Sequence, residues 1–256
     1  LAALALCATT LSIAHAQNSN PNPNPSWDDQ WPTLEQGFLS DYVQLTSATK
    51  FIKAGESYFS PDGNMVIFQA IPVPEAGEKA DAHYAMYVAG VQRDDNGNIT
   101  GLGPAGMVSS PSSANTCGWF HPTEPMTILF GSTRSAPSGE AVAGYQRENS
   151  RYSWQFPIEM DIMTGTIKMK YDLSDEAKAR AKVQRESGDT TPPKLDMSDI
   201  VSLPTLENAS PMWERDGYDA EGSWSPDGRF VLYTRLEPGP NNGDIWIHDT
   251  TDNTDT

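Results

Sequence analysis

Residues 58–63 read Tyr58-Phe59-Ser60-Pro61-Asp62-Gly63, and residues 223–228 read Ser223-Trp224-Ser225-Pro226-Asp227-Gly228. Between them lies an imperfect copy, Trp119-Phe120-His121-Pro122-Thr123-Glu124. The shared residues spell a turn. Proline presets φ near about −65°, aspartate accepts nearby backbone hydrogen bonds, and glycine takes the left-handed angle. Glu124 stands where the other copies have glycine, so the middle turn must be strained or differently shaped. His121 fills the column of Ser60 and Ser225, which favours a structural role for it.

Working outward, the copies align on Pro61, Pro122 and Pro226. Two places before each proline is an aromatic: Phe59, Phe120 or Trp224. Four places after come Met65, Met126 and Phe230, followed by Val66-Ile67-Phe68, Thr127-Ile128-Leu129 and Val231-Leu232-Tyr233. The match therefore runs from one strand through the turn into a second. Short runs rich in β-branched and aromatic residues, bounded by Gly, Pro, Asn and Asp, read as strands at 65–70, 84–91, 126–132, 156–163, 166–173, 230–235 and 244–250. Asn96-Gly97 joins two strands as a type I′ hairpin pair would. A calcium loop there is disfavoured, because Gln92 stands where the first acidic ligand belongs. Residues 174–187 break the pattern: Ser174 is an N-cap, Asp175 and Glu176 occupy the first turn, and Gly188 stops a helix with no apolar stripe. It reads as a solvated helix inside an insertion covering 174–215.

A strand–turn–strand unit that recurs, followed by a third strand, is what a propeller blade looks like in sequence. The prolines are 61 and 104 residues apart, longer than the roughly 40–50 of compact repeats. The excess falls in polar or helical stretches at 71–83, 133–150 and 174–215.

With their flanks, the copies read VQLTSATKFIKAGESYFSPDGNMVIFQA, NTCGWFHPTEPMTILFGSTRS and YDAEGSWSPDGRFVLYTR followed by GDIWIHDT. Over most of 42–250 they resemble the TolB-like β-propeller repeats of exported bacterial proteins. The resemblance implies an all-β fold, a partial propeller over 38–256 with polar loop insertions and one short helix. About three blades of six are expected, around 51–110, 111–173 and 216–256. It also implies that Val43-Gln44-Leu45-Thr46 is an outer strand closing the ring, and that the third blade ends at DTTDNTDT before its own outer strand. With Leu1 at the start, the expectation is a fragment of a longer product. Such propellers are scaffolds for protein–protein contacts in the cell envelope. Related ones also precede prolyl-oligopeptidase-type hydrolases and accompany zinc aminopeptidases, which leaves a catalytic domain beyond residue 256 as the alternative.

Residues 1–16, LAALALCATTLSIAHA, are apolar and close on Ala14-His15-Ala16, the pattern of a secretory signal whose basic start is missing. The Asn-Pro alternation that follows makes 17–37 an extended tether. The expected location is periplasmic or secreted, with no transmembrane segment in the mature chain. Once the leader is removed, Cys117 is left without an internal disulfide partner. The net charge of −17 argues against nucleic acid and anionic membranes.

No G-x-S-x-G, H-E-x-x-H, phosphate-loop or C-x-x-C pattern occurs, so no catalytic residue, cofactor or metal ligand is assigned. The expected partner is a protein or peptide, with a glycan as the other option. Alignment offers one candidate site. Three places before the aligned aromatics stand Glu56, Cys117 and Glu221, at the start of each innermost strand. With Asp219 nearby, they are expected at one channel mouth, where they could hold a cation or a basic peptide end.

Overall fold

The structure, a computed structural model, describes residues 37–38, 41–139, 141–143, 155–191, 199–238 and 243–256. The expected leader at 1–16, nearly all of the tether at 17–37 and most of 140–154 lie outside the described residues. Contacts divide the chain into Leu1–Tyr42 and Val43–Thr256, and every element below belongs to the second unit. Among the described residues no helix is long and apolar enough to cross a membrane.

Among the described residues the fold is all-β apart from one helix. The first sheet runs β1 (Phe51–Phe59), β2 (Met65–Pro72), β3 (Ala85–Arg93) and β4 (Ile99–Leu102), with β5 (Gly106–Met107) also paired to β3. The second contains β6 (Asn115–Phe120), β7 (Thr127–Ser132), β10 (Asp161–Leu173) and β11 (Ile200–Pro211). A small hairpin, β8 (Ala141–Ala143) with β9 (Gln155–Pro157), interrupts it in sequence. The third runs β12 (Tyr218–Trp224), β13 (Phe230–Leu236), β14 (Gly243–Asp249) and β15 (Thr254–Asp255). Neighbouring strands are antiparallel throughout.

The two full copies of the turn have the same bonds. Ser60 N–H donates to Met65 O and Ser225 N–H to Phe230 O, while Gly63 and Gly228 N–H return to the serine carbonyls. Each serine hydroxyl donates to the aspartate and accepts the N–H that opens the next strand. Gly63 and Gly228 have φ of 70° and 75°, which glycine adopts without steric cost. The middle turn is differently shaped, and the difference is one residue. His121 N–H donates to Thr127 O, not to Met126, and the His121 ring nitrogen accepts Glu124 N–H at 3.1 Å where the serine and aspartate oxygens would act.

That extra residue overturns the ungapped alignment beyond the proline. Phe120 pairs with Ile128 as Phe59 pairs with Val66 and Trp224 with Val231. Thr127, not Met126, is thus the counterpart of Met65. A slip of one residue exchanges the two faces of a strand, and the corrected register gives all three sheets one rule. Ile67, Met86 and Val88 of the first sheet meet Ile128, Phe130 and Met163 of the second. Leu129 and Ile162 of the second meet Val231 and Tyr233 of the third. At both junctions, therefore, the Ile67-type residues of one sheet meet the Val66-type residues of the next. In the third sheet the Ile67-type positions are Leu232 and, across the pair, Ile245 and Ile247, which are exposed.

Several other expectations need correction. Residues 156–163 and 166–173 are not two strands, since a turn ends the first at Pro157 and Asp161–Leu173 is continuous, bridging β7 and β11. The second sheet does not end at 173: β11 completes it, and among the described residues of the expected insertion α1 (Asp175–Glu186) lies outside the sheets. Ser174 caps that helix as expected, accepting Ala177 N–H. Val43–Thr46 form no strand; Gln44, Leu45 and Thr46 instead line a cavity of about 250 Å³ with Phe51, Phe68 and Leu102. The third sheet does have a fourth strand, the two-residue β15. In the β3–β4 turn only Gly97 is left-handed, so it is not type I′; Asp94 instead accepts Asn96 and Asn98 N–H.

Candidate functional site

Before the proline the ungapped alignment stands, and it leads to a backbone feature that occurs three times. Gly55 pairs with Gln69 but Tyr58 with Ile67, so Glu56 and Ser57 together face Phe68. In the same way Cys117 and Gly118 face Phe130, and Glu221 and Gly222 face Tyr233. Each is a β-bulge, one extra residue that bends the strand and re-aims a side chain. In each, the first residue is left-handed without being glycine: φ is 44° at Glu56, 45° at Cys117 and 59° at Glu221. That conformation costs about 1 kcal/mol or more per residue.

In the second and third bulges the second residue, a glycine, explains how the strands come together. A Cβ on Gly118 would lie 2.4 Å from Ile67 Cδ1 and 2.7 Å from Met86 Cε, and one on Gly222 would lie 3.0 Å from Ile162 Cδ1. The glycines let β6 sit against the first sheet and β12 against the second. β6 is thereby flanked by β1 and β12, and Cys117 in the middle bulge feels the charges of both Glu56 and Glu221.

The side chains converge accordingly. Cys117 Sγ–H donates to Glu56 Oε2 at 3.0 Å, and Thr116 Oγ1 lies 3.3 Å from the same oxygen. Thr234 Oγ1 donates to Glu221 Oε2 at 2.9 Å. Burial pushes the Cys117 thiol up to about 12, helped by its bond to Glu56 and by the charges of Glu56 and Glu221. The thiol therefore stays protonated at neutral pH and is a hydrogen-bond donor, not a nucleophile. Burial and then the nearby Glu221, Cys117 and Glu56 likewise raise the Tyr218 phenol, and Tyr58 is raised by burial with the same three neighbours. Tyr58 also stacks on Trp119, ring centroids 4.7 Å apart. Glu56 and Glu221 are exposed and Cys117 half-buried, which makes an acidic rim on a floor of tyrosines and threonines.

Asp219 does not join it. It is 1 % exposed, with Arg235 Nη1 3.0 Å from both of its carboxylate oxygens and Trp213 Nε1–H donating at 2.6 Å. Arg215 Nε lies 3.4 Å away. In a regular strand Asp219 and Glu221 would share a face; the bulge between them breaks that period and parts them. Sequence reasoning does not bring Tyr58, Thr116, Tyr218 and Thr234 to the rim. Tyr58 and Thr116 lie beside the aligned columns and can be read from them, whereas Thr234 arrives from the partner strand. Among the described residues no group of three His, Cys, Asp or Glu side chains is close enough to hold a metal ion.

No family model matches the chain, and no curated protein matches it in sequence. Among solved structures it is similar to a crystal structure of the tricorn protease, at 11 % identity and a TM-score of 0.34, over 78 % of this chain and 18 % of that one. The chain thus spans less than a fifth of that neighbour's length.

Proposed function

We propose that the chain is the TolB-like propeller part of an exported, periplasmic or secreted protein, and that it is a scaffold holding a basic peptide segment at the Glu56–Cys117–Glu221 rim. The observation that carries this reading is the bulge, placed at the same point of three consecutive innermost strands and strained at a non-glycine residue each time. Strain that recurs in one place points to a site more than to a packing accident. A propeller is supported by the single stacking rule of the three sheets and by the SPDG-type turns. The exposed Leu232, Ile245 and Ile247 present the surface on which a further sheet of the same kind would seat.

The rim carries two carboxylates whose hydrogen bonds come from a thiol and threonine hydroxyls, not from a cation, and the whole chain is acidic. A lysine- or arginine-rich segment supplies the missing charge, and the tyrosines supply surface for its aliphatic stems. Titration of the full chain with a basic peptide and a neutral peptide of equal length tests this. Glu56→Gln with Glu221→Gln should weaken the basic peptide at least tenfold, while the charge-matched control Glu75→Gln with Glu78→Gln, in an exposed loop, leaves it unchanged. Equal losses in both variants would reduce the effect to net charge and remove the rim from the account.

A further inference from the structure

A second polar site lies away from the rim, where the end of β7, the start of β10 and the link from β11 to β12 meet. A cavity of about 490 Å³ there is lined by Arg134, Ile158, Glu159, Asp161, Glu214, Arg215 and Asp216. Asp161 is 2 % exposed. Its Oδ2 accepts from Arg134 Nη2 at 2.9 Å and the Arg215 backbone N–H also bears on the carboxylate, while its Oδ1 is buried without a hydrogen-bond partner. Glu159 repeats the arrangement: Oε1 accepts Ser138 N–H, and Oε2 is buried with none. A buried acceptor left unmet costs its full desolvation, and more when charged.

The two cations at the cavity are engaged through their Nη atoms. Arg134 spans Asp161 and Glu214. Arg215 bonds Asp255 at 2.7 Å and Tyr233 Oη at 2.8 Å, and its guanidinium lies 4.9 Å over the Trp213 ring. Four carboxylates thus face two guanidiniums whose charge is shared with Asp219 and Asp255. One donor at the cavity is unspent, the buried Arg215 Nε, which lies 3.4 Å from Asp219 Oδ2 without a hydrogen bond; what the cavity lacks is positive charge to match its carboxylates.

We propose that this cavity binds an alkylammonium group, whose N–H donors would meet Asp161 Oδ1 and Glu159 Oε2. A metal ion fits poorly, because these residues do not form a three-ligand group. The ammonium could come from a lysine side chain of a bound chain or from a free amine; the chemistry at the cavity is the same. The proposal stands apart from the rim, which shares no residue with it. Burial pushes the Asp161 carboxyl up to about 6 against the pull of Arg134 and the Arg215 backbone, with Asp219 and Glu214 adding to the rise. Glu159, Asp216 and the Arg215 guanidinium complete the charged groups facing it. Acid should therefore release the ligand.

Calorimetric titration of the full chain with pentane-1,5-diamine and with Nα-acetyl-lysine N-methylamide tests the inference and separates the two sources. Binding of either supports it and names the source that fits. Tetramethylammonium, which has the charge but no N–H, should bind at least tenfold more weakly. Asp161→Asn and Glu159→Gln should each weaken the ammonium probe at least tenfold, and lowering the pH from 7.5 to 5 should do the same. Glu56→Gln with Glu221→Gln should leave the probe unaffected; loss of binding there instead would assign the ammonium to the rim and end this proposal while sparing the other. No binding up to about 10 mM, or equal binding of tetramethylammonium, would overturn it and leave the cavity to water.

Discussion

Replacing Gly118 by alanine tests the stacking of the sheets and, with it, the geometry that brings the rim together. The new Cβ would lie 2.4 Å from Ile67 Cδ1, 2.8 Å from Ile67 Cγ1 and 2.7 Å from Met86 Cε. Carbon atoms prefer about 3.5–4.0 Å, so the overlap approaches an ångström, and both neighbours are fully buried. Overpacking of this kind costs about 1–3 kcal/mol, and the depth of the clash places Gly118→Ala toward the upper end. Gly222→Ala is the internal comparison. Its contacts of 3.0 and 3.1 Å are to the methyl ends of Ile162 and Leu129, so its cost should be about 1 kcal/mol or less. Ile67→Val removes the Cδ1 that the new methyl group would strike and alone costs about 0.5–1.5 kcal/mol. Combined with Gly118→Ala it should restore stability relative to Gly118→Ala alone, a coupling of about 1–2 kcal/mol. Urea unfolding followed by tryptophan fluorescence and circular dichroism reads all four proteins. Strict additivity of the pair, or equal costs for the two glycines, would refute the stacking and the register behind it.

Three further outcomes follow from the same geometry. Cys117, with its thiol pushed up to about 12, should react with iodoacetamide at pH 8 roughly a thousandfold more slowly than a free cysteine, and Glu56→Gln should speed it; peptide mass spectrometry distinguishes it from Cys7, and reaction at the free-thiol rate would contradict the burial. Asp161 holds its proton more tightly folded than unfolded, its carboxyl being raised to about 6, so the stability it confers is complete below the ordinary carboxyl range and is lost as pH rises through 6. Asp161→Asn should therefore be the more stable protein at pH 7.5, by on the order of 1–3 kcal/mol, with the gap closing toward pH 4; a stability difference independent of pH would count against the raised carboxyl. Asp62→Ala and Asp227→Ala should each lower the melting temperature through lost turn bonds, and Thr123→Ala, in the same sequence column, clearly less; equal losses in thermal melts would mean that the middle turn is built like the others.

The parts of the fold that can be read in the sequence are those fixed by local chemistry. Ser60, Asp62 and Gly63 specify their turn within five residues, and Ser174 caps α1 three residues ahead. Expectation and structure part where two distant segments settle the matter. The middle turn is longer by one residue, a change that sequence alone absorbs by sliding Met126 onto Met65; only the pairing of Phe120 with Ile128 reveals it. β11 resembles an insertion until it is placed beside β10, because its partly exposed face has little apolar periodicity to announce it.

The candidate rim divides in the same way. Glu56, Cys117 and Glu221 share a column upstream of the proline, where no residue has been added, and so their equivalence is legible. Asp219 joins them only by proximity in sequence, since the left-handed residue at 221 separates the two carboxylates into different surroundings, one exposed beside Thr234 and one buried under Arg235. The ammonium cavity is invisible in sequence for a stronger reason. Arg134, Glu159 and Glu214 come from three connections and Asp161 from the start of β10, with no shared motif, and what marks the site is an unmet oxygen on a buried carboxylate. A side chain's unspent bonding capacity depends on everything around it, so it belongs to the assembled structure and not to any stretch of the chain.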